Sequence, residues 1–322
     1  MTLYAEKAIS GVFPVLPTPF DANLQPDRDA LKALVRYLLR SGVDGMTYPG
    51  VASEFAQLTQ DERLELTQLV VTEVAGHVPV VAGVSSDDMA ITLALAKSAA
   101  AAGAAALLVA APSGFKTAAE QVGYFAQLAA AAPGVAIMLQ NVPPPLGAGL
   151  DPEVVVQILN SVPAVRYVKE EALPSGQRLS VIRKLAPASL LGVFGGAGGR
   201  YITDELRRGA CGTMPAIELA EIHVALFAAH RNGNSALVRS IFTRMMPILN
   251  IQAVFRWSLT KYVLQYRGLI AHAGQRIAGP RLDALDQKDV VDFLGDLDDL
   301  LLSQADIDRC KADTQKDTYG AT

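Results

Sequence analysis

The run Arg166-Tyr167-Val168-Lys169-Glu170-Glu171 puts an amine and two carboxyl groups at three consecutive positions closing an apolar stretch. If that stretch is a β-strand, its side chains alternate faces, so Lys169 and Glu171 share one side and Glu170 takes the other. An amine and a carboxylate on one inward face can do covalent chemistry on a ketone. The amine attacks the carbonyl and the carboxylate moves protons. At a solvated strand end the same residues would be an ordinary surface ion pair. The elements around the run decide between these two readings.

Short apolar runs alternate with longer amphipathic ones along the chain. The strand candidates are 11–17, 44–49, 78–84, 105–111, 135–140, 165–169, 190–194 and 211–215. Several, such as Val78-Pro79-Val80-Val81-Ala82-Gly83-Val84, are apolar on both faces, as a sheet covered by helices requires. Helix start signals fall between them. Thr59 with Glu62 and Thr117 with Glu120 read as capping boxes, and Asp151-Pro152 as an N-cap followed by proline at the first helical position. Asp87 is expected to cap the helix 89–102, which Gly103 ends. Eight β-then-α units predict a (β/α)₈ barrel over residues 1–232. After Gly233 the strand signal stops, and 235–249, 253–270 and 287–302 are helical by period. Residues 233–322 therefore read as a helical extension whose polar tail, from Ser303, is expected to fray.

Composition narrows the function. Of the 322 residues, 51% are hydrophobic and 19% charged, enough for a large core, and the net charge of −4 argues against a nucleic-acid or anionic-membrane surface. Cys211 and Cys310 lie far apart and make no metal or redox spacing, which fits a reducing cytosol. No basic segment followed by an apolar run opens the sequence, so no signal peptide is expected, and the stretch 99–111 is broken by Gly103 rather than long enough to span a membrane. His77, His223, His230 and His272 are scattered, so no catalytic metal is expected.

In a (β/α)₈ barrel, chemistry sits at the C-terminal ends of the strands. Those ends carry Thr18-Pro19-Phe20, then Gly50-Val51-Ala52-Ser53-Glu54, then Pro112-Ser113-Gly114-Phe115, then Gln140-Asn141-Val142-Pro143. Lys169 and Glu171 close the sixth strand, Gly195-Gly196-Ala197-Gly198-Gly199 follows the seventh, and Thr213 lies in the eighth. The glycine run reads equally as a tight turn or as a ligand loop. One amine, one carboxylate and several backbone donors fit Schiff-base chemistry, and a lysine inside an apolar barrel should lose part of its affinity for the proton.

These residues resemble the dihydrodipicolinate synthase and N-acetylneuraminate lyase family. The resemblance spans nearly the whole chain and rests on Thr18-Pro19-Phe20, Gly50-x-x-x-Glu54 with Leu58-Thr59, Asn141-x-Pro143, Tyr167-Val168-Lys169-Glu170 and the helical extension. It implies a strand-six lysine, here Lys169, that forms an imine with the C2 ketone of a 2-oxo acid, and no further cofactor. It also suggests a homotetramer. The departures carry information. The synthases and lyases place a tyrosine proton shuttle where Gln140 stands, and the synthases a Thr-Thr pair where Val51-Ala52 stands. The synthases' tyrosine in the fourth loop is replaced by Ser113-Gly114, and their arginine after Asn-x-Pro by Pro143-Pro144-Pro145-Leu146-Gly147. Glu171 stands where family members mostly carry a small residue. The Lys169–Gln140–Glu171 combination resembles the 2-keto-3-deoxy-L-arabonate dehydratase branch, which makes 2,5-dioxopentanoate.

The expected catalytic residues are therefore Lys169 as nucleophile, Glu171 as proton carrier and Gln140 as a neutral orienting amide, since an amide cannot transfer a proton at neutral pH. Thr18, Ala52, Ser53, Gly196 and Thr213 are expected to bind substrate, with the N–H groups of Ala52 and Ser53 and the Ser53 hydroxyl on the substrate carboxylate. Two alternatives stay open. One is an aldolase that cleaves a 4-hydroxy-2-oxo acid to pyruvate and an aldehyde, with water or Ser53 in the tyrosine's place. The other is a catalytically silent 2-oxo-acid-binding protein on the same fold.

Overall fold

The computed structural model describes residues 9–312. Eight parallel strands lie in the order β1-β8-β7-β6-β5-β4-β3-β2. They are β1 (Gly11–Val12), β2 (Met46–Thr47), β3 (Val80–Gly83), β4 (Ala106–Ala110), β5 (Ala136–Asn141), β6 (Val165–Glu170), β7 (Gly192–Gly195) and β8 (Gly212–Thr213). A bridge between Val15 and Thr47 closes the ring, with Thr47 N donating to Pro14 O at 2.9 Å and Leu16 N to Thr47 O at 3.0 Å. This is the expected (β/α)₈ barrel. The first strand is far shorter than the apolar run 11–17 suggests, because Pro14 and Pro17 have no N–H to give a ladder.

Helices α1 (Arg28–Arg40), α2 (Gln60–Val74), α3 (Met89–Ala102), α4 (Ala118–Ala131), α5 (Pro152–Ser161), α6 (Ser175–Leu185), α7 (Ile202–Arg207) and α8 (Ala220–Arg231) cover the strands. Both expected capping boxes form. Glu62 N donates to Thr59 Oγ1 at 3.1 Å, and Glu120 N to Thr117 Oγ1 at 3.2 Å. Helix α3 corrects the sequence reading: Asp88, not Asp87, is its cap, accepting from Ala90 N at 2.7 Å. Only the residue directly before the first helical residue can reach the free N–H groups of the first turn. Asp151 is at the N-cap of α5 but its side chain makes no capping bond.

The strand alternation sorts the core into two layers. Phe13, Val81, Leu108, Met138, Tyr167 and Phe194 fill the barrel interior, with Phe13 and Phe194 edge to face at 5.5 Å. Leu107, Val109, Leu139, Val168 and Val193 face the helices. Two residues further along β5 and β6, the same interior face carries Gln140 and Lys169, paired in register.

Beyond α8, helices α9 (Ser235–Phe255), α10 (Trp257–Tyr266), α11 (Ala284–Gly295) and α12 (Gln304–Lys311) pack back on the barrel. The expected break near residue 250 falls instead at Arg256, and 304–311, expected to fray, is a helix. Ser303 caps α12, and Ile307 and Cys310 are buried, with Arg36 of α1 donating to Cys310 O at 3.4 Å. Two apolar residues spaced three apart are enough to dock so short a helix, a signal the polar composition masks. The remainder of the expected tail, from residue 313, lies outside the described residues. Among those described, no helix is long and apolar enough to cross a membrane.

A buried ion pair ties this extension to the second loop. Lys261 Nζ of α10 lies 2.5 Å from Glu54 Oε1, both side chains fully buried, as an electrostatic contact without hydrogen-bond alignment. Glu54 Oε2 accepts from Arg276 N at 2.7 Å and Ile277 N at 2.8 Å, while Lys261 donates to Gly274 O at 2.7 Å and sits 4.1 Å from the Phe20 ring. This gives Phe20 and Glu54 a shared structural task. Removing one charge leaves the other buried and unpaired, so Lys261→Met should lower stability by about 3–5 kcal/mol in urea denaturation. Lys261→Met combined with Glu54→Gln should recover much of that. A loss below about 1 kcal/mol in the single variant would contradict the strut.

Candidate active site

Strand β6 ends with its alternation intact. Lys169 Nζ lies 3.2 Å from Glu171 Oε1, and both side chains are largely buried at the C-terminal mouth of the barrel. Glu170 points the other way, where it accepts from Asn141 Nδ2 at 2.8 Å and Ala172 N at 2.9 Å and pairs with Arg178 at 3.3 Å. The Asn141-x-Pro143 element therefore braces the outer face of β6. Its main chain also holds the inner one, since Glu171 N donates to Asn141 O at 2.9 Å.

Three groups converge on the Glu171 carboxylate. Gln140 Nε2 donates to Oε2 at 2.7 Å, and Ala197 N donates to Oε1 at 3.0 Å, the same oxygen that Lys169 approaches. Burial pushes this carboxyl up, but the Lys169 charge and these two N–H donors outweigh it and hold it below the ordinary glutamate value. Glu171 is thus ionised at neutral pH, ready to act as a base. The glycine run after β7 is shaped by this contact: a Cβ on Gly196 would stand 2.5 Å from Glu171 Oε1. The run is a ligand loop for a carboxylate, but one belonging to the protein.

Lys169 and Glu171 open onto a cavity of about 440 Å³, a volume suited to a small organic acid. Ala52 lines it, beside Val51. Ser53 does not. Its N–H donates to Gly50 O at 2.9 Å, and its hydroxyl donates to Leu16 O and accepts from Gly50 N. The N–H groups that this 3₁₀ turn leaves over are the first two, of Val51 and Ala52. Thr18 stands behind the loop, its hydroxyl donating to Ser53 O at 2.8 Å with Tyr48 Oη 3.0 Å away. Gln140 stands behind Glu171 rather than on the wall. Thr213 is buried and its hydroxyl has no partner; its register partner Val12 packs toward the helices, and the wall is formed by the next residue, Met214. The structure thus brings Lys169, Glu171, Gln140 and Gly196 into one cluster with Ala52 on the same cavity. Thr18 and Ser53 lie one layer back, and Thr213 lies off the wall.

The sequence reading missed the wall contributed by Arg200 and by the helical extension. Gln252, Arg256, Trp257 and Thr260 all line the cavity. Trp257 Nε1 donates to Val51 O at 2.7 Å, fixing α10 on the second loop. Arg200 Nη1 donates to Gln252 Oε1 at 2.7 Å, and Thr260 Oγ1 to Glu218 Oε2 at 2.9 Å. Arg256 has φ 40° and ψ −108°, a conformation that costs a non-glycine residue about 1–3 kcal/mol. The signal was present: Trp257 is the only tryptophan in the chain, and Arg200 follows the glycine run directly.

A parallel barrel with a buried amine at the end of its sixth strand and a carboxylate in contact with it defines a lyase of the class I aldolase type. The chain belongs to the dihydrodipicolinate synthetase family, whose model it matches over residues 8–288. It is 28% identical over 250 residues to a 4-hydroxy-tetrahydrodipicolinate synthase of Desulforamulus reducens, covering 74% of this chain and 80% of that one. To the protein of Escherichia coli K12 named "Probable 2-dehydro-3-deoxy-D-pentonate aldolase YjhH" it is 27% identical over 269 residues, covering 82% and 89%. The crystal structure of dihydrodipicolinate synthase from Rhodopseudomonas palustris superposes with a TM-score of 0.84 at 27% identity, covering 92% of this chain and 99% of that one.

The Gly196 contact yields a direct test. Gly196→Ala should push Glu171 away from Lys169 and Ala197 and cut turnover while the fold and thermal midpoint stay near wild type. Full activity in this variant would mean that the observed Glu171 position is not the working one.

Proposed function

We propose that Lys169 forms an imine with a 2-keto-3-deoxy sugar acid and that Glu171 carries out its dehydration. Membership of the dihydrodipicolinate synthetase family supports the imine part of this reading; the dehydration rests on one observation, the Glu171 carboxylate 3.2 Å from Lys169 Nζ. The five-carbon candidate is 2-keto-3-deoxy-L-arabonate, with 2,5-dioxopentanoate as product. The N–H groups of Val51 and Ala52 are the donors proposed for the C1 carboxylate.

The chemistry follows from the charges. Lys169 attacks the C2 ketone and water leaves, giving an iminium that acidifies C3. Glu171, ionised, takes a C3 proton. This turns the iminium into a neutral enamine and removes the cation that kept Glu171 ionised. Burial then favours the neutral acid, so Glu171 is primed to give its proton to the C4 hydroxyl, which leaves as water. One carboxyl group serves as base and then as acid because the first transfer alters its own surroundings. Tautomerisation moves a proton from C5 to C3 and then the hydroxyl proton of the resulting enol to C4, which makes C5 an aldehyde, and hydrolysis frees Lys169 and the dioxo acid. Gln140 keeps the carboxylate in place through a neutral bond. No cofactor beyond the lysine is required by this sequence of steps.

A second reading is favoured by the likeness to the pentonate aldolase, namely retro-aldol cleavage to pyruvate and an aldehyde. That reaction needs a base at the C4 hydroxyl rather than at C3. Product analysis with one 2-keto-3-deoxy acid separates the two: a dioxo acid supports dehydration, and pyruvate overturns it.

Lys169→Ala should abolish both turnover and borohydride-dependent labelling by pyruvate. Glu171→Gln should keep the labelling and lose about 10²–10⁴-fold in turnover, the usual worth of a general acid–base group. Labelling of Lys169→Ala, or dehydration by Glu171→Gln at the wild-type rate, would defeat the assignment. Because Glu171 is held below the ordinary glutamate value of 4.5, the acid limb of kcat/KM should fall below that pH. A limb that disappears in Glu171→Gln but is centred above pH 5 would contradict the arrangement.

A further inference from the structure

Gln140 has a second side. Its Nε2 reaches Glu171, yet the residue is not on the wall of the catalytic cavity. It lines a second, small cavity of about 10 Å³ with Arg63, Gly83 and Ser85. That is room for one water.

Arg63 of α2 is the one charged side chain on this small cavity, and it is buried. Its Nη1 donates to Ser85 O at 2.9 Å and its Nη2 to Gly83 O at 3.4 Å, and its guanidinium carbon lies 5.3 Å from the centre of the Phe55 ring. None of these is a counter-charge. Among the described residues no carboxylate lies within ion-pair distance of Arg63, and its Nε is buried without a partner. Burial pulls the group down to about 10. A guanidinium has more N–H groups than the two carbonyls use, and a buried cation needs acceptors for them. Gln140 Oε1 is an acceptor that no protein donor reaches among the described residues, and with Nε2 turned to Glu171 it is the end left for the small cavity. The Gln140 amide thus stands between a buried cation and a buried anion. Both charges favour one orientation of it; half a turn away, Oε1 would face the Glu171 carboxylate.

We propose that one buried water joins Arg63 to Gln140 Oε1, and that Arg63 is thereby a positioning residue that keeps the Gln140 N–H on Glu171. This role rests on Glu171 being the base at C3. Arg63 itself is not on the catalytic cavity. Without it, Oε1 loses its donor, the amide is free to turn, and Glu171 keeps only the Ala197 N–H of its two N–H donors. Glu171 then holds a proton more tightly, so the acid limb moves to higher pH. The other charged groups that Glu171 feels, Lys169, Arg200 and Glu205, stay in place.

The test is a double-mutant cycle on the wild type, Arg63→Met, Gln140→Met and the pair, reading exchange of the pyruvate methyl protons against pH. Arg63→Met should slow exchange about 10-fold and raise its acid limb by about one pH unit, the worth of one hydrogen bond to a charged group. Made in Gln140→Met, the same change should leave rate and limb within about twofold of that variant. A residue that only braced the loop after β3 would cost the same in both backgrounds. Arg63→Lys keeps the cation and a donor, and should fall between Arg63→Met and the wild type. Borohydride labelling by pyruvate shows which variants fold; if Arg63→Met does not, Arg63→Lys runs the same cycle. A crystal structure should show the water between Arg63 and Gln140. Equal losses in both backgrounds, wild-type exchange in Arg63→Met, or a dry cavity would overturn the assignment. Glu171→Gln keeps the two readings apart. An acid limb that survives there defeats Glu171 as the base, and Arg63 with it. A limb that vanishes there but does not move in Arg63→Met defeats Arg63 alone.

Discussion

Everything at the top of this barrel is arranged around one contact, the buried approach of Glu171 to Lys169. Two opposite charges in a partly dry site are stable only when further donors complete them. Here Gln140 and the Ala197 N–H complete the carboxylate, and both depend on backbone geometry. Gln140 is in reach because β5 and β6 pair in register at Gln140 and Lys169. Ala197 is in reach because Gly196 has no Cβ to keep the glycine loop away. The same register lets Asn141 hold Glu170 on the outer face, so neighbouring acids on one strand have separate duties. One is structural and buried among helices; the other faces the cavity.

The helical extension belongs to the site as much as the strands do. The Lys261–Glu54 pair and the Trp257–Val51 bond clamp helix α10 onto the second loop, whose Val51 and Ala52 line the cavity. Glu54 has φ 57°, a left-handed conformation that turns its side chain under α10 and needs such an anchor. The barrel supplies Lys169 and Glu171, and the extension closes the cavity wall with Gln252, Arg256, Trp257 and Thr260.

The juxtaposition of Lys169 and Glu171 on the floor was legible in the sequence because it is local. A strand period of two places Lys169 and Glu171 together without any knowledge of the fold, and the apolar runs on either side identify a covered parallel sheet. The rim was not legible, because Arg200 and Arg256 come to line one cavity only after the helical extension folds back over the barrel. Ser53 shows another limit. Its type suggested a ligand donor, but the 3₁₀ turn takes up its N–H and a carbonyl takes its hydroxyl, which only the local backbone path reveals. Thr213 failed for a related reason, since a one-residue difference in parity on a two-residue strand moves a side chain from the cavity to the helical layer.

The proposed reaction turns on Glu171 moving a proton at C3 of a Lys169 imine. Exchange of the methyl protons of pyruvate in D₂O, followed by NMR, isolates that step from dehydration and from any question of substrate length. The wild type should deuterate the methyl group, and Lys169→Ala and Glu171→Gln should both lose the exchange, the second while still forming the imine. Exchange at the wild-type rate in Glu171→Gln would show that another group handles the C3 proton, and the account given for this site would be wrong.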